Sequence, residues 1–356
     1  MASQVYLLRL TDWKDFEAVA AALPPFLQET GLLDDVRAQR PSAIKLTFGE
    51  GGNRAHPPVA VVREIVAFLK RRGTRPFLTE TNTLYRGRRM NVLDHLDLAW
   101  EHGFTPERVG APILFGDGLL GRETFDVPLA GPNVKIAHLS PILRDTDFLV
   151  GLAHMTGHLL CGFGGAIKNI GMGLASRAGK LDMHSVISPV VREEKCTLCL
   201  ECAKACATRA IDSGPRAVTI DPQRCTGCAE CLPTCPTGAL GIDWDRDTRR
   251  VQERMAEYAL AVARTVGHRM AFVTLLNHIS DHCDCMGETP NCIAPDIGIV
   301  ASRDPVALDQ ASLDLIARAA GGDPFLRAWP EVAGNVQVTH AEAIGLGSRT
   351  YELIEP

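Results

Sequence analysis

The chain alternates short apolar runs with segments whose apolar residues recur at helical spacing. Residues 43–48 form an apolar run ending at Gly49, and 58–72 carry Val59, Val62, Ile65, Val66 and Leu69 on one face, the stripe of an amphipathic helix. Pro57 and Pro58 suit its start and Gly73 its stop. Residues 76–79 read as the next strand, so the segment predicts a strand-helix-strand unit with a parallel pair. Similar runs recur at 134–139, 147–153, 270–276 and 297–301, the last followed by a helix predicted over 305–320. The predicted body is α/β with a mostly parallel sheet.

Residues 188–245 break this rhythm. They hold eight of the twelve cysteines and no helix or strand long enough to build a core. Strand and helix patterns lie on both sides, so the expected organisation is an α/β domain in two parts, 1–187 and 246–356, with 188–245 inserted as a small α+β unit. So short a chain cannot bury enough apolar surface alone and needs a staple.

The cysteine spacing supplies one. Cys196, Cys199, Cys202 and Cys206 repeat as Cys225, Cys228, Cys231 and Cys235, each run reading C-x2-C-x2-C-x3-C. That is bacterial ferredoxin spacing, in which three thiolates grip one [4Fe-4S] cube and the fourth reaches to the other. The predicted ligand sets are Cys196, Cys199, Cys202 with Cys235, and Cys225, Cys228, Cys231 with Cys206. CTLCLECAKACATRAI and CTGCAECLPTCPTGAL align without a gap, marking an internal duplication. Pro236 follows the second run; Ala207 stands at the equivalent place in the first. Zinc sites usually pair two short-spaced cysteine or histidine doublets, unlike these two identical four-fold runs. Disulfides would need an oxidising compartment, and MASQVYLLRL lacks a secretory layout, so a cytoplasmic setting is expected.

The chain has 356 residues, 46% of them hydrophobic, and a formal charge of -5. No apolar stretch reaches the length of a membrane span, and no basic run dominates as nucleic-acid binding would require. Lys70, Arg71, Arg72 and Arg75 read as a solvated helix end, where positive charge suits the helix dipole.

Candidate chemistry in the body concentrates at 162–173, GFGGAIKNIGMG, the densest glycine segment. Glycines let backbone N-H groups approach an anion, and Lys168 and Asn169 add charge and amide donors. Gly162, Gly164 and Gly165 are therefore candidate cofactor-binding positions; tight packing is the competing explanation. His154 and His158, four residues apart, would share a face if helical, as metal ligands or acid-base groups. Glu50 and Asn53 in GEGGN, with Asn82 after the next strand, are expected to face one crevice at the ends of parallel strands. Cys283, Cys285 and Cys292 read either as a third metal site or as free thiols.

The segments FGEGGN, TETNTLYRGRRMN, HMTGHLLCGFGGAIKNIGMGLASRAGKLDMHS, the paired cysteine runs, CDC and PDIGIVASRDPVALDQASLDLI together resemble the iron-sulfur proteins grouped as domain of unknown function 362. The resemblance spans nearly the whole chain. It implies an α/β protein carrying an inserted dicluster ferredoxin and no particular substrate. The expected function is an iron-sulfur oxidoreductase that takes electrons from a donor protein and passes them to a small-molecule ligand in the crevice. His154, His158, Lys168, Asn169 and His184 are the catalytic candidates: histidine as proton donor, Lys168 as oxyanion partner. The alternatives are a non-catalytic carrier or docking protein, and a metal or cofactor assembly factor.

Overall fold

The computed structural model describes residues 2–10, 12–184, 188–242 and 247–356. An eight-stranded sheet forms the centre. Its order is Tyr351–Ile354, Ser3–Arg9, Gly298–Ser302, Met270–Leu276, Phe148–His154, Pro41–Lys45, Arg75–Glu80, Ile113–Phe115. Five of its pairings are parallel and two, on either side of Gly298–Ser302, are antiparallel. The mixed, mostly parallel α/β body matches the expected fold class.

Strand alternation explains why both faces are covered. Successive side chains point to opposite faces: in Phe148–His154, Val150 and Leu152 join one buried cluster and Leu149 the other. The first face packs Val59–Arg71, whose Val62, Ile65, Val66 and Leu69 are buried. The second packs Thr248–Thr265 and Pro305–Ala320. Asp304 starts the latter helix by accepting from the Val306 and Ala307 N-H groups, with Pro305 at its first position.

The expected unit at 58–72 is present: Pro41–Lys45 and Arg75–Glu80 pair in parallel around that helix. The run at 134–139 differs. Only Ile136–Leu139 is extended, and it pairs antiparallel with Phe125–Pro128 outside the central sheet. His154 and His158 do not share a helix. His154 ends a central strand, and Thr156–His158 turns back on Gly162–Gly164 as a hairpin. Strand pairing on both sides of Phe148–His154 outweighs any local helical tendency there.

Within 188–242 the elements are short: the antiparallel pair Val190–Val191 with Leu240–Gly241, the hairpin Ile211–Ser213 with Val218–Ile220, and helices Glu201–Ala205 and Cys231–Thr234. They share a third apolar cluster that includes Cys202, Cys231 and Cys235 and takes in Leu84 and Leu181 from the body. Both expected junctions of the insertion adjoin or include residues (185–187, 243–246) outside the described ones.

Candidate functional site

Three parallel strands end at one place, each on a charged residue: Lys45, Glu80 and His154. Carboxyl ends of strands are where open α/β sheets hold ligands, and here they border a cavity of about 460 Å³. His154, His158, Lys168, Asn169 and His184 all line it, as do Gly164 and Gly165. Gly162 lies elsewhere, against Gly334. Glu50, Asn53 and Asn82 sit behind the wall. Glu50 pairs with Arg89 at 3.0 Å, the Asn53 amide donates to the Met286 and Glu288 carbonyls at 3.2 Å, and the Asn82 amide donates to Asp117 at 2.9 Å. Apart from Asn82 Oδ1, which is buried without a partner among the described residues, these groups are spent on neighbouring loops.

The candidates divide by what their polar atoms already do. His154 Nδ1 meets the Asp284 carboxylate at 3.0 Å and Nε2 the Asn277 carbonyl at 2.7 Å. Two acceptors require two ring protons. Burial opposes that charge, but Asp284 and the Asn277 carbonyl outweigh it and raise the pKa. His154 therefore positions the 283–286 turn and has no nitrogen left for a ligand. Asn169 is likewise committed: its amide donates to the Lys45 and Leu152 carbonyls at 3.1 Å, and its oxygen accepts from Lys45 Nζ at 3.2 Å. Lys45, nearly fully buried, pairs with Glu80 at 3.0 Å.

His158 differs. Its Nδ1 accepts from the Leu160 and Cys161 N-H groups at 3.1 and 3.2 Å, which leaves the proton of the neutral ring on Nε2. Burial, and then the charge of Lys168, hold its pKa well below the ordinary histidine value. Burial likewise pushes His184 down to about 4. Among the described residues Lys168 makes no hydrogen bond or ion pair, and burial lowers its pKa. The cavity thus offers an uncommitted ammonium beside two neutral imidazoles.

The glycine segment is not an open loop. It forms Gly162–Gly164 and the helix Ala166–Gly171. The acceptor at its N-H groups is the chain's own: the buried Asp309 carboxyl accepts from Ala166 N at 2.7 Å and Ile167 N at 2.9 Å, and burial raises its pKa to about 7. A Cβ at Gly165 would collide with Asp309 Oδ1, and one at Gly173 with Lys45 Cε, so these glycines admit buried ionisable side chains. We expect Gly165→Ala to raise neither ligand nor metal demand but to destabilise the fold by about 1–3 kcal/mol through overpacking. Denaturant unfolding checks this; an unchanged midpoint would contradict it. Asp309, Lys45, Arg89 and Lys180 join the site from outside the candidate residues named above, and Asp284, inside CDC, gains its role from His154. A lone charge inside an apolar strand or stripe, as at Lys45 and Asp309, is the signal that marks a buried partner.

Cys292 does not join the other two cysteines proposed with it. It is exposed and its Sγ donates to the Ala294 carbonyl at 3.1 Å. Cys283 and Cys285 are joined through their sulfurs. With the thiols separated, His158, Cys283 and Cys285 form a group able to hold a metal ion, their ligand atoms within 4.8 Å of one another. A metal-bound imidazole normally donates its second N-H, whereas His158 Nδ1 accepts.

The eight repeated cysteines gather around two small cavities. Cys196, Cys199, Cys202 and Cys235 line one; Cys206, Cys225, Cys228 and Cys231 line the other. The backbone repeats as well. Leu198 and Gly227, Leu200 and Ala229, and Arg209 and Gly238 all have positive φ, a conformation costly for leucine and arginine. Such turns aim N-H groups into a concavity suited to anions. Burial pushes the Cys206 and Cys235 thiols up, but hydrogen bonds from the Thr208 and Thr237 hydroxyls and from nearby backbone N-H groups outweigh it and leave both pKa values lowered. Four thiols per cavity match the ligand number of a [4Fe-4S] cube and also that of a tetrahedral metal ion.

Among the described residues no helix is long and apolar enough to cross a membrane. No curated protein matches the chain. Similar solved structures include the lactate racemase apoprotein from Thermoanaerobacterium thermosaccharolyticum, at 11% identity and a TM-score of 0.44, covering 89% of this chain and 57% of that one. A protein from Thermotoga maritima is similar at 9% identity and a TM-score of 0.43, covering 94% and 60%. The chain thus spans under two thirds of the length of either. The family described as Domain of unknown function (DUF362) matches over residues 43–314, and the chain belongs to that family.

Proposed function

We propose that this protein is an iron-sulfur electron-transfer protein that reduces an anionic small molecule bound at the strand ends. The observation that carries the reading is the position of Leu84. Leu84 lines the large cavity and also packs in the apolar cluster holding Cys202, Cys231 and Cys235. One side chain therefore spans from ligand space to the thiol-rich unit. Arg86 fastens the two parts by donating to the Pro236 carbonyl at 2.9 Å.

Each crossed quartet of thiols would hold one [4Fe-4S] cube, which supplies single electrons when bound. The chain's own residues supply the rest. Five cations (Lys45, Arg89, His154, Lys168, Lys180) face two carboxylates (Glu80, Asp284) around the cavity, which favours a negatively charged ligand. Lys168 meets the anion. His158 Nε2-H, held by the two bonds at Nδ1, donates to an oxygen that gains charge on reduction. Leu159 and Leu160 limit water at the same wall.

The pH dependence follows from Lys180. Burial lowers its pKa to about 8, so the cavity keeps that positive charge below pH 8 and loses it above. Affinity for inorganic phosphate or acetate, used as probes in calorimetric titrations, is expected to fall between pH 7 and pH 9. Equal affinity at both values would contradict the assignment.

The test of function is reoxidation. Photoreduced protein under argon is mixed with a panel of oxidised small carboxylates and phosphates, and the return of visible absorbance is followed. Reoxidation by a member of the panel, lost in Lys168→Met with the reduced spectrum unchanged, is the expected result. Reoxidation by every compound equally in both proteins would leave the carrier reading in its place.

A further inference from the structure

Cys283 and Cys285 stand outside both four-thiol groups, in the wall of the large cavity, with their sulfurs joined. The turn that carries them is fixed from three directions. The Asp284 carboxylate bonds His154 at 3.0 Å, the Asp284 carbonyl accepts from Glu50 N at 3.0 Å, and the Cys285 carbonyl accepts from the Tyr85 hydroxyl at 3.4 Å. Tyr85 directly follows Leu84. One residue thus packs in the apolar core shared with Cys231 and Cys235, and its chain neighbour bonds the turn bearing Cys285. A ring nitrogen of His158 lies within 4.8 Å of both sulfurs.

We infer that Cys283 and Cys285 are a redox-active pair, which takes up two single electrons passed through the iron-sulfur groups and holds them as a dithiol at the cavity wall. The inference rests on the electron-transfer reading above. The reductant is the low-potential one-electron donor protein that this reading already requires. Two electrons break the S-S bond and leave two thiolate sulfurs; two protons convert these to thiols. Both protons come from solvent through the open side of the cavity. The pair turns two one-electron deliveries into a two-electron store within reach of the bound ligand.

A C-x-C pair in a cavity beside a histidine would also suit a metal ion. The accepting Nδ1 of His158 leaves that ring no second N-H to donate, as a metal-bound imidazole normally does, and metal occupancy is one outcome of the test.

The experiment is a reductive titration of the full chain under argon with photoreduced deazaflavin, run on wild type and on the Cys283→Ser/Cys285→Ser double variant. Iron, sulfide and zinc are measured on the same samples, and the 283–285 peptide is alkylated and weighed before and after reduction. Wild type is expected to take up about two more electrons per chain than the variant, with equal bleaching of the iron-sulfur absorbance, and to gain two alkyl groups on that peptide only after reduction. Equal electron uptake by both proteins, with iron present and bleaching intact, overturns the relay and leaves electron transfer standing. Absence of iron and sulfide overturns the electron-transfer reading and the relay with it. Two free thiols before reduction, with zinc bound in wild type and lost in the variant, overturns the relay in favour of a metal site.

Discussion

Lys45→Met is expected to lower the unfolding free energy by about 3–5 kcal/mol, the usual cost of removing one partner from a buried ion pair. Lys45 and Glu80 lie 3.0 Å apart with side chains 2% and 7% exposed. Lys45 Nζ also donates to the Leu46 carbonyl at 2.8 Å and to Asn169 Oδ1 at 3.2 Å. The variant leaves a carboxylate and two further acceptors without their donor at the floor of the cavity. A Lys45→Met/Glu80→Gln double variant removes the stranded charge and is expected to recover most of the loss. Denaturant unfolding followed by circular dichroism measures both. A loss under about 1 kcal/mol, typical of an exposed pair, would show that water reaches this site and that the cavity floor is not the dry, charge-paired surface described above.

Cys235→Ser is expected to remove about half of the iron and to do so selectively. Cys235 lines the cavity of Cys196, Cys199 and Cys202, although it belongs to the second run in sequence. The group held by the first run should be damaged and the one held by Cys206, Cys225, Cys228 and Cys231 spared. Iron analysis together with the paramagnetic spectrum of the reduced variant distinguishes the two, because loss of one cube also removes the magnetic interaction between them. Selective loss of the group held by Cys225, Cys228 and Cys231 would mean that each run keeps its own four thiols.

Much of the body was legible because strand and helix periods are strong where both sheet faces are buried. The strand Met270–Leu276 and the helix Pro305–Ala320 coincide with the predicted ranges, since seven buried residues in one and an Asp-Pro start in the other leave little ambiguity. Ser3–Arg9, Ile113–Phe115 and Tyr351–Ile354 were not read as strands. The last two are the sheet's edges, and all three owe their extension to partners far away in sequence. The site shows the same division. Lys168, His158 and His184 stood out as polar residues among glycines and apolar neighbours, and all line the cavity. That His154 is bound to Asp284, or that Asp309 fills the N-H groups of the glycine segment, depends on contacts across 130 and 143 residues. No local pattern encodes those.

The contrast between the two histidines is the clearest case of environment setting role. His154 meets two acceptors and keeps both protons; His158 meets two donors at Nδ1 and keeps only one. Identical side chains four residues apart thus become a charged anchor and a neutral donor.

Iron and sulfide analysis of anaerobically purified protein, with zinc measured alongside, tests electron transfer most directly. The account predicts about eight iron and about eight sulfide per chain, held as two cubes, and a reducible signal in which the two interact. Stoichiometric zinc without sulfide would contradict it.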